Sequence, residues 1–199
     1  TIPRDGAYRL VVEGRVYSGG RSPYRLLVAE REAETGLPLT LGARVDIDGM
    51  AASAIREYDF TLDDPAILLM DSYVSASDLT WTLRGADGTR LGGARFDRTD
   101  GIQAQGDPAL RLGAGAYTLT IERRAAAATE DTLSFALRDL AAEAVEIFPN
   151  QRAQGVLDAL GRAKALFAID LARGDAMTLD VAQRPSGGAA WRVLDADGF

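Results

Sequence analysis

The feature that most constrains this chain is an echo of itself. Asp5-Gly6-Ala7-Tyr8-Arg9-Leu10-Val11-Val12 returns as Ala114-Gly115-Ala116-Tyr117-Thr118-Leu119-Thr120-Ile121, with Tyr8 and Tyr117 109 positions apart. In the later copy Tyr117, Leu119 and Ile121 alternate with Ala116, Thr118 and Thr120, which specifies a strand with one apolar and one polar face. Other segments repeat in step. Tyr58, Phe60 and Leu62 line up with Phe167, Ile169 and Leu171 at the same offset, Ala66–Asp71 with Ala176–Asp180, and Trp81 with Trp191 at 110 positions. Solenoid repeats have periods of about 20–50 residues. A period near 105–110 residues instead predicts units with their own cores, strung like beads.

The inventory is then the C-terminal part of one β-sandwich unit (1–35), one complete unit (36–140) and the N-terminal part of a further unit (141–199). Thr1 falls within what reads as the end of a unit, so the chain reads as an excerpt. Residues 4–13 and 23–28 are expected to be strands, and Tyr117–Ile121 and Leu133–Leu137 their later counterparts, each pair forming a hairpin. Charged residues from Glu30 to Gly36 read as a connector, with the boundary at Thr35-Gly36-Leu37-Pro38. Asp63-Asp64-Pro65 reads as a turn. Leu79–Gly85 reads as a core strand running into a tight turn at Asp87-Gly88, where glycine supplies positive φ. Leu91–Asp107 reads as a long polar excursion, Ala125–Ala128 as a hairpin loop, and Ala141–Phe148 as a connector.

With 21 glycines, short alternating runs and little helical periodicity, the fold class is all-β: tandem antiparallel β-sandwich modules of jelly-roll type. The formal net charge is −7, and the cations are scattered arginines plus one lysine, Lys164. A nucleic-acid surface needs a basic stripe, so nucleic acid is excluded as a partner. No apolar run approaches the roughly 18 residues of a membrane-spanning helix. The chain has neither cysteine nor histidine, which removes disulfides, thiolate metal sites and most catalytic toolkits. Ser72, Ser75 and Ser77 have no base to activate them, and Asp63-Asp64, adjacent at a surface turn, cannot face one another across a substrate. The chain is expected not to be an enzyme.

The order of motifs, Tyr58-x-Phe60-x-Leu62, then Leu79-Thr80-Trp81-x-Leu83-x-x-x-Asp87-Gly88, then Gly115-x-Tyr117-x-Leu119-x-Ile121 and Phe135-x-Leu137, resembles the bacterial pre-peptidase C-terminal domain over residues 36–140. The resemblance implies a compact jelly-roll-like sandwich that accompanies secreted proteases or recurs in large bacterial surface proteins. No protease domain accompanies the motifs here. On this basis the chain is expected to be a structural or spacer module of an extracellular or cell-surface bacterial protein, with neighbouring repeat units of the same polypeptide as partners. The alternative is an adhesion module for a surface glycan or protein, stabilised by calcium.

Members of that family that bind calcium direct attention to Asp87, Asp97 and Asp100. Calcium takes six to eight oxygen ligands, whereas Arg90, Arg95 and Arg98 interleave with these aspartates and oppose a cation. The competing use is as solvated loop carboxylates, with no cofactor. Trp81, Tyr58 and Tyr117 sit at inward phases and read as core, which leaves Tyr73 and Tyr17 as the aromatic candidates for contact with a ligand.

Overall fold

The computed structural model describes residues 7–13, 32–100, 108–124, 132–154, 164–172, 174–178, 180 and 191–194. The chain divides into two compact units, Thr1–Glu30 and Arg31–Phe199. In the first, residues 7–13 are exposed and have no regular secondary structure, so the strand expected over 4–13 is not formed where it is described. Alternation there marks which face a strand would bury, but it does not supply the ladder that makes a strand stable. The expected strand at 23–28 and the loop Ala125–Ala128 lie outside the described residues, as does Tyr17.

The second unit holds a two-layer sandwich. β1 (Ala33–Pro38), β3 (Ile55–Leu62), β5 (Leu79–Gly85), β6 (Arg90–Arg95) and β8 (Gly115–Arg123) form a five-stranded sheet in the order β1-β3-β8-β5-β6. β2 (Val45–Ile47), β4 (Ala66–Ser72), β7 (Ala109–Leu112) and β9 (Leu133–Asp139) form a four-stranded sheet in the order β2-β9-β4-β7. A single 3-10 turn (Phe96–Arg98) follows β6, and a short helix α1 (Leu140–Glu143) follows β9. Beyond α1, β10 (Val145–Ile147) pairs with β11 (Phe167–Ile169).

The all-β sandwich expected from the sequence is the one observed, with three differences in its wiring. Every consecutive connection from β1 to β9 switches sheets except β5–β6, the hairpin turned at Asp87-Gly88 with Gly88 at φ +81°. β8 and β9 therefore are not a hairpin. β8 lies between β3 and β5, whereas β9 lies between β2 and β4. The sheet is also not wholly antiparallel, because β1 runs parallel to β3. Two crossings, into β2 and back, return the chain in its original direction. Finally, the expected polar excursion after Leu91 begins as the edge strand β6 and the turn carrying buried Phe96. β6 is irregular by sequence because Gly92 faces Trp81: a Cβ there would lie 2.4 Å from Leu110 Cδ2 and 3.4 Å from the indole.

The core forms where the two inner faces meet. Tyr58, Phe60, Leu62, Trp81, Leu83, Leu119 and Ile121 come from the five-stranded sheet, and Leu68, Met70, Leu110, Leu112, Phe135 and Leu137 from the other. Trp81, Tyr58, Phe60, Leu119 and Ile121 thus share one sheet face, and Phe135 meets them from across the sandwich, its ring edge-on to Tyr58 at 5.4 Å. Phe60 stacks on Tyr117 at 5.4 Å. Trp81 also satisfies its one polar atom, Nε1 donating to Thr99 Oγ1 at 2.9 Å. Each such aromatic or aliphatic side chain contributes about 1.5–3 kcal/mol by leaving water.

Candidate functional site

The three aspartates singled out as calcium ligands are each committed to a different partner. Asp87 lies exposed in the β5–β6 turn, where its carboxylate accepts from Thr89 N at 2.9 Å and from Thr89 Oγ1 at 2.8 Å. Those hydrogen bonds hold its carboxyl below the usual value. Asp97 is forked by Arg95, Nε to Oδ1 at 2.9 Å and Nη2 to Oδ2 at 2.6 Å. Asp100 Oδ2 accepts from Ser72 N at 2.9 Å, and Oδ1 meets the ammonium of Lys164. Among the described residues, no three acidic groups gather as a set that could hold a metal ion.

The other candidates are equally occupied. Tyr58, Trp81 and Tyr117 are buried in the core, and the Tyr117 hydroxyl donates to Gly113 O at 2.7 Å, closing the turn before β8. Tyr73 is half-buried beneath the Arg44 guanidinium, 4.9 Å from its ring centroid. The Ser72 hydroxyl is buried and donates to Val74 O at 2.6 Å. A shallow depression over β3 and β8, floored by Asp59, Thr61, Ala116 and Thr118, holds one carboxylate, and that accepts from Thr118 Oγ1 at 2.7 Å. No helix among the described residues is long and apolar enough to cross a membrane.

The densest polar arrangement is one the sequence did not single out. β4 reads Ala-Ile-Leu-Leu-Met-Asp-Ser, and Asp71, next to its end, is fully buried on the face turned away from the core. Arg138 of β9 lies diagonally opposite on the same face, as the pairing of Leu69 with Arg138 and of Asp71 with Ala136 requires. Its Nη1 donates to Asp71 Oδ2 at 3.4 Å, and its Nε to Glu143 Oε2 at 2.7 Å. Lys164 completes the group. Its backbone N donates to Asp71 Oδ2 at 3.1 Å, its Nζ donates to Met70 O at 2.6 Å and meets Asp100 Oδ1, and its carbonyl accepts from Arg138 Nη1. Burial pushes the Asp71 carboxyl up, against the pull of Lys164, and pushes the Lys164 ammonium down to about 8, against the pull of Asp71. Asp71 and Lys164 stand 93 positions apart, which is why no local pattern joins them. The available signals were a carboxylate in an apolar strand and the chain's single lysine.

No protein-family model matches the chain, and no curated protein matches it. Solved structures similar to it at low identity include the following three. The periplasmic inhibitor of g-type lysozyme, PliG, from Aeromonas hydrophila is 10% identical over 55% of this chain and 99% of its own, with a TM-score of 0.39. The pre-peptidase C-terminal domain of collagenase from Bacillus anthracis is 11% identical over 55% of this chain and 94% of its own, with a TM-score of 0.36. PliG from Salmonella Typhimurium is 14% identical over 53% of this chain and 99% of its own, with a TM-score of 0.39.

Proposed function

We propose that this chain is a stretch of non-catalytic β-sandwich repeat units that space other parts of a large extracellular bacterial protein. The observation that carries it is a recurrence in backbone pairing. β1 and β3 run parallel with Leu37 opposite Tyr58 and Pro38 opposite Asp59. β10 and β11 also run parallel, with Val145 opposite Phe167 and Glu146 opposite Ala168, positions 108 to 109 residues later. The turn after the first strand recurs too: Gly42 at φ +75° and Asn150 at φ +66° occupy the same place, and both residue types tolerate left-handed backbone.

Chemistry agrees with this assignment. The chain has no histidine or cysteine, and Asp59, Asp71, Asp87, Asp97 and Asp100 are held by arginine, lysine or hydroxyl partners. The resemblance to the pre-peptidase C-terminal domain supports the extracellular setting and the repeat units as each other's partners. The test is the sequence of the parent gene on either side of this stretch. Further copies of the Trp-strand, Asp-Gly and Gly-x-Tyr motifs spaced 105–110 residues apart are expected. A parent protein with no further copy would overturn the proposal.

A further inference from the structure

We propose that Asp71, Asp100 and the Met70 carbonyl form a socket for the Lys164 ammonium, and that this socket is the joint through which one sandwich grips the opening strands of the unit that follows. The inference rests on the repeat assignment above, since β10 and β11 are what it takes to be the next unit's beginning. Lys164 is held by both its main chain and its side chain. Its backbone N donates to Asp71 Oδ2 at 3.1 Å and its carbonyl accepts from Arg138, while its ammonium reaches Met70 O at 2.6 Å and Asp100 Oδ1. A surface ion pair would not need the backbone as well.

The sandwich side of the joint is built in advance. Asp100 is aimed by Ser72 N, which holds its other oxygen at 2.9 Å. Asp71 has no exposed surface, and its Oδ1 lacks a hydrogen bond and stands 3.8 Å from Lys164 Nζ. A carboxylate buried in a mostly apolar strand, on the face away from the core, adds nothing to core packing. A buried ion pair is weak evidence for added stability, and in some proteins such a group fixes a unique arrangement instead. Arg138 extends the grip through Glu143 to α1, directly before β10, while Lys164 stands three positions before β11. Both strands of the pair are thereby tied to the outward side of the β4–β9 layer. Asp180 occupies the place of Asp71 in the following apolar segment, so an acceptor recurs with the repeat. Successive units would be joined stiffly and not tumble as independent beads.

Because the chain lacks cysteine, labels can be placed cleanly on exposed Thr61 of β3 and Ala168 of β11 through Thr61→Cys and Ala168→Cys, and the distance between them read by pulsed electron resonance. A single narrow distribution is expected. Lys164→Met should broaden it about twofold or more, and Asp100→Asn, which leaves the sandwich core untouched, should do likewise while cooperative melting is retained. Unchanged narrow distributions in both variants would overturn the socket. A second chain carrying Glu146→Cys with Ala168→Cys, Cα partners across β10 and β11, separates the two ideas. Cross-linking on mild oxidation, with distances insensitive to Lys164, removes the socket alone. Failure to cross-link in the unmodified background removes the recurring strand pair, and the repeat assignment with it.

Discussion

The sandwich strands and the stretch that follows them carry the same pattern with opposite outcomes. Tyr58 and Trp81 are 6% and 7% exposed, whereas their counterparts Phe167 and Trp191 are 40% and 52% exposed. The same spacing of aromatic and aliphatic residues is present in both stretches. What differs is the cover. Trp81 lies between Ala94 of β6 and Ile121 of β8, with Thr99 closing over its ring nitrogen. β3 is likewise flanked by β8, while β11 is described with β10 as its ladder partner. A strand pattern therefore sets which face can be buried, and the partner strands decide whether it is.

A pair of truncations separates the two regions most strongly. Trp81→Ala should cost about 3–5 kcal/mol in denaturant unfolding, through lost burial and a residual cavity. Trp191→Ala, at an exposed position, should stay within about 0.5 kcal/mol. Equal costs would mean that the two tryptophans share one environment. Next in size is Lys164→Met, expected to cost about 2 kcal/mol, below the 3–5 of a fully buried pair because Lys164 is 20% exposed. The double change Lys164→Met with Asp71→Leu should recover most of it, and a double variant no better than the single would count against a coupled pair.

The same pair should also make stability depend on pH. Lys164 in the folded chain loses its proton near pH 8, against 10.5 ordinarily, so between those values the unfolded chain binds more protons and stability should rise with pH. Asp71 has the opposite displacement, its carboxyl raised from 3.8, so stability should fall as pH rises from about 3.8 toward its folded value. Both slopes should vanish in the double variant, and slopes that persist there belong to other groups. The smallest expected effect is that of calcium. A site filled at a hundred times its Kd adds about 2.7 kcal/mol, but with Asp97 on Arg95 and Asp100 on Lys164, millimolar calcium and EDTA should give the same melting temperature. A rise in calcium would show that these carboxylates exchange partners.

Much of the sandwich was legible because its central strands alternate cleanly. Tyr58-x-Phe60-x-Leu62 and Tyr117-x-Leu119-x-Ile121 pair in register, Phe60 opposite Tyr117 and Tyr58 opposite Leu119. Asp87-Gly88 marked its hairpin for a local reason, positive φ. What escaped was non-local or lacked alternation. Sheet switching between β8 and β9 leaves no trace, since the same period serves either sheet. β1 was hidden in charged residues because an edge strand exposes most of its side chains. β6 was hidden by its arginines and Gly92. Ala141–Phe148 read as a connector, yet it begins with α1, whose Asp139 cap accepts from Ala141 N and Ala142 N, and continues into β10. The aspartates were legible as residues but not as a site, because their partners are set by tertiary placement.

The most direct test uses the chain's two tryptophans as reporters of the two regions. Iodide quenching of the unmodified chain and of Trp191→Phe, which leaves Trp81 as the sole indole, separates their accessibilities. Trp81 emission should be nearly untouched by iodide, and the quenchable fraction should disappear with Trp191. Quenching of Trp81 as free as that of the unmodified chain would contradict this, placing the tryptophan strand outside the core and removing the contrast between the covered sandwich and the exposed stretch around Trp191.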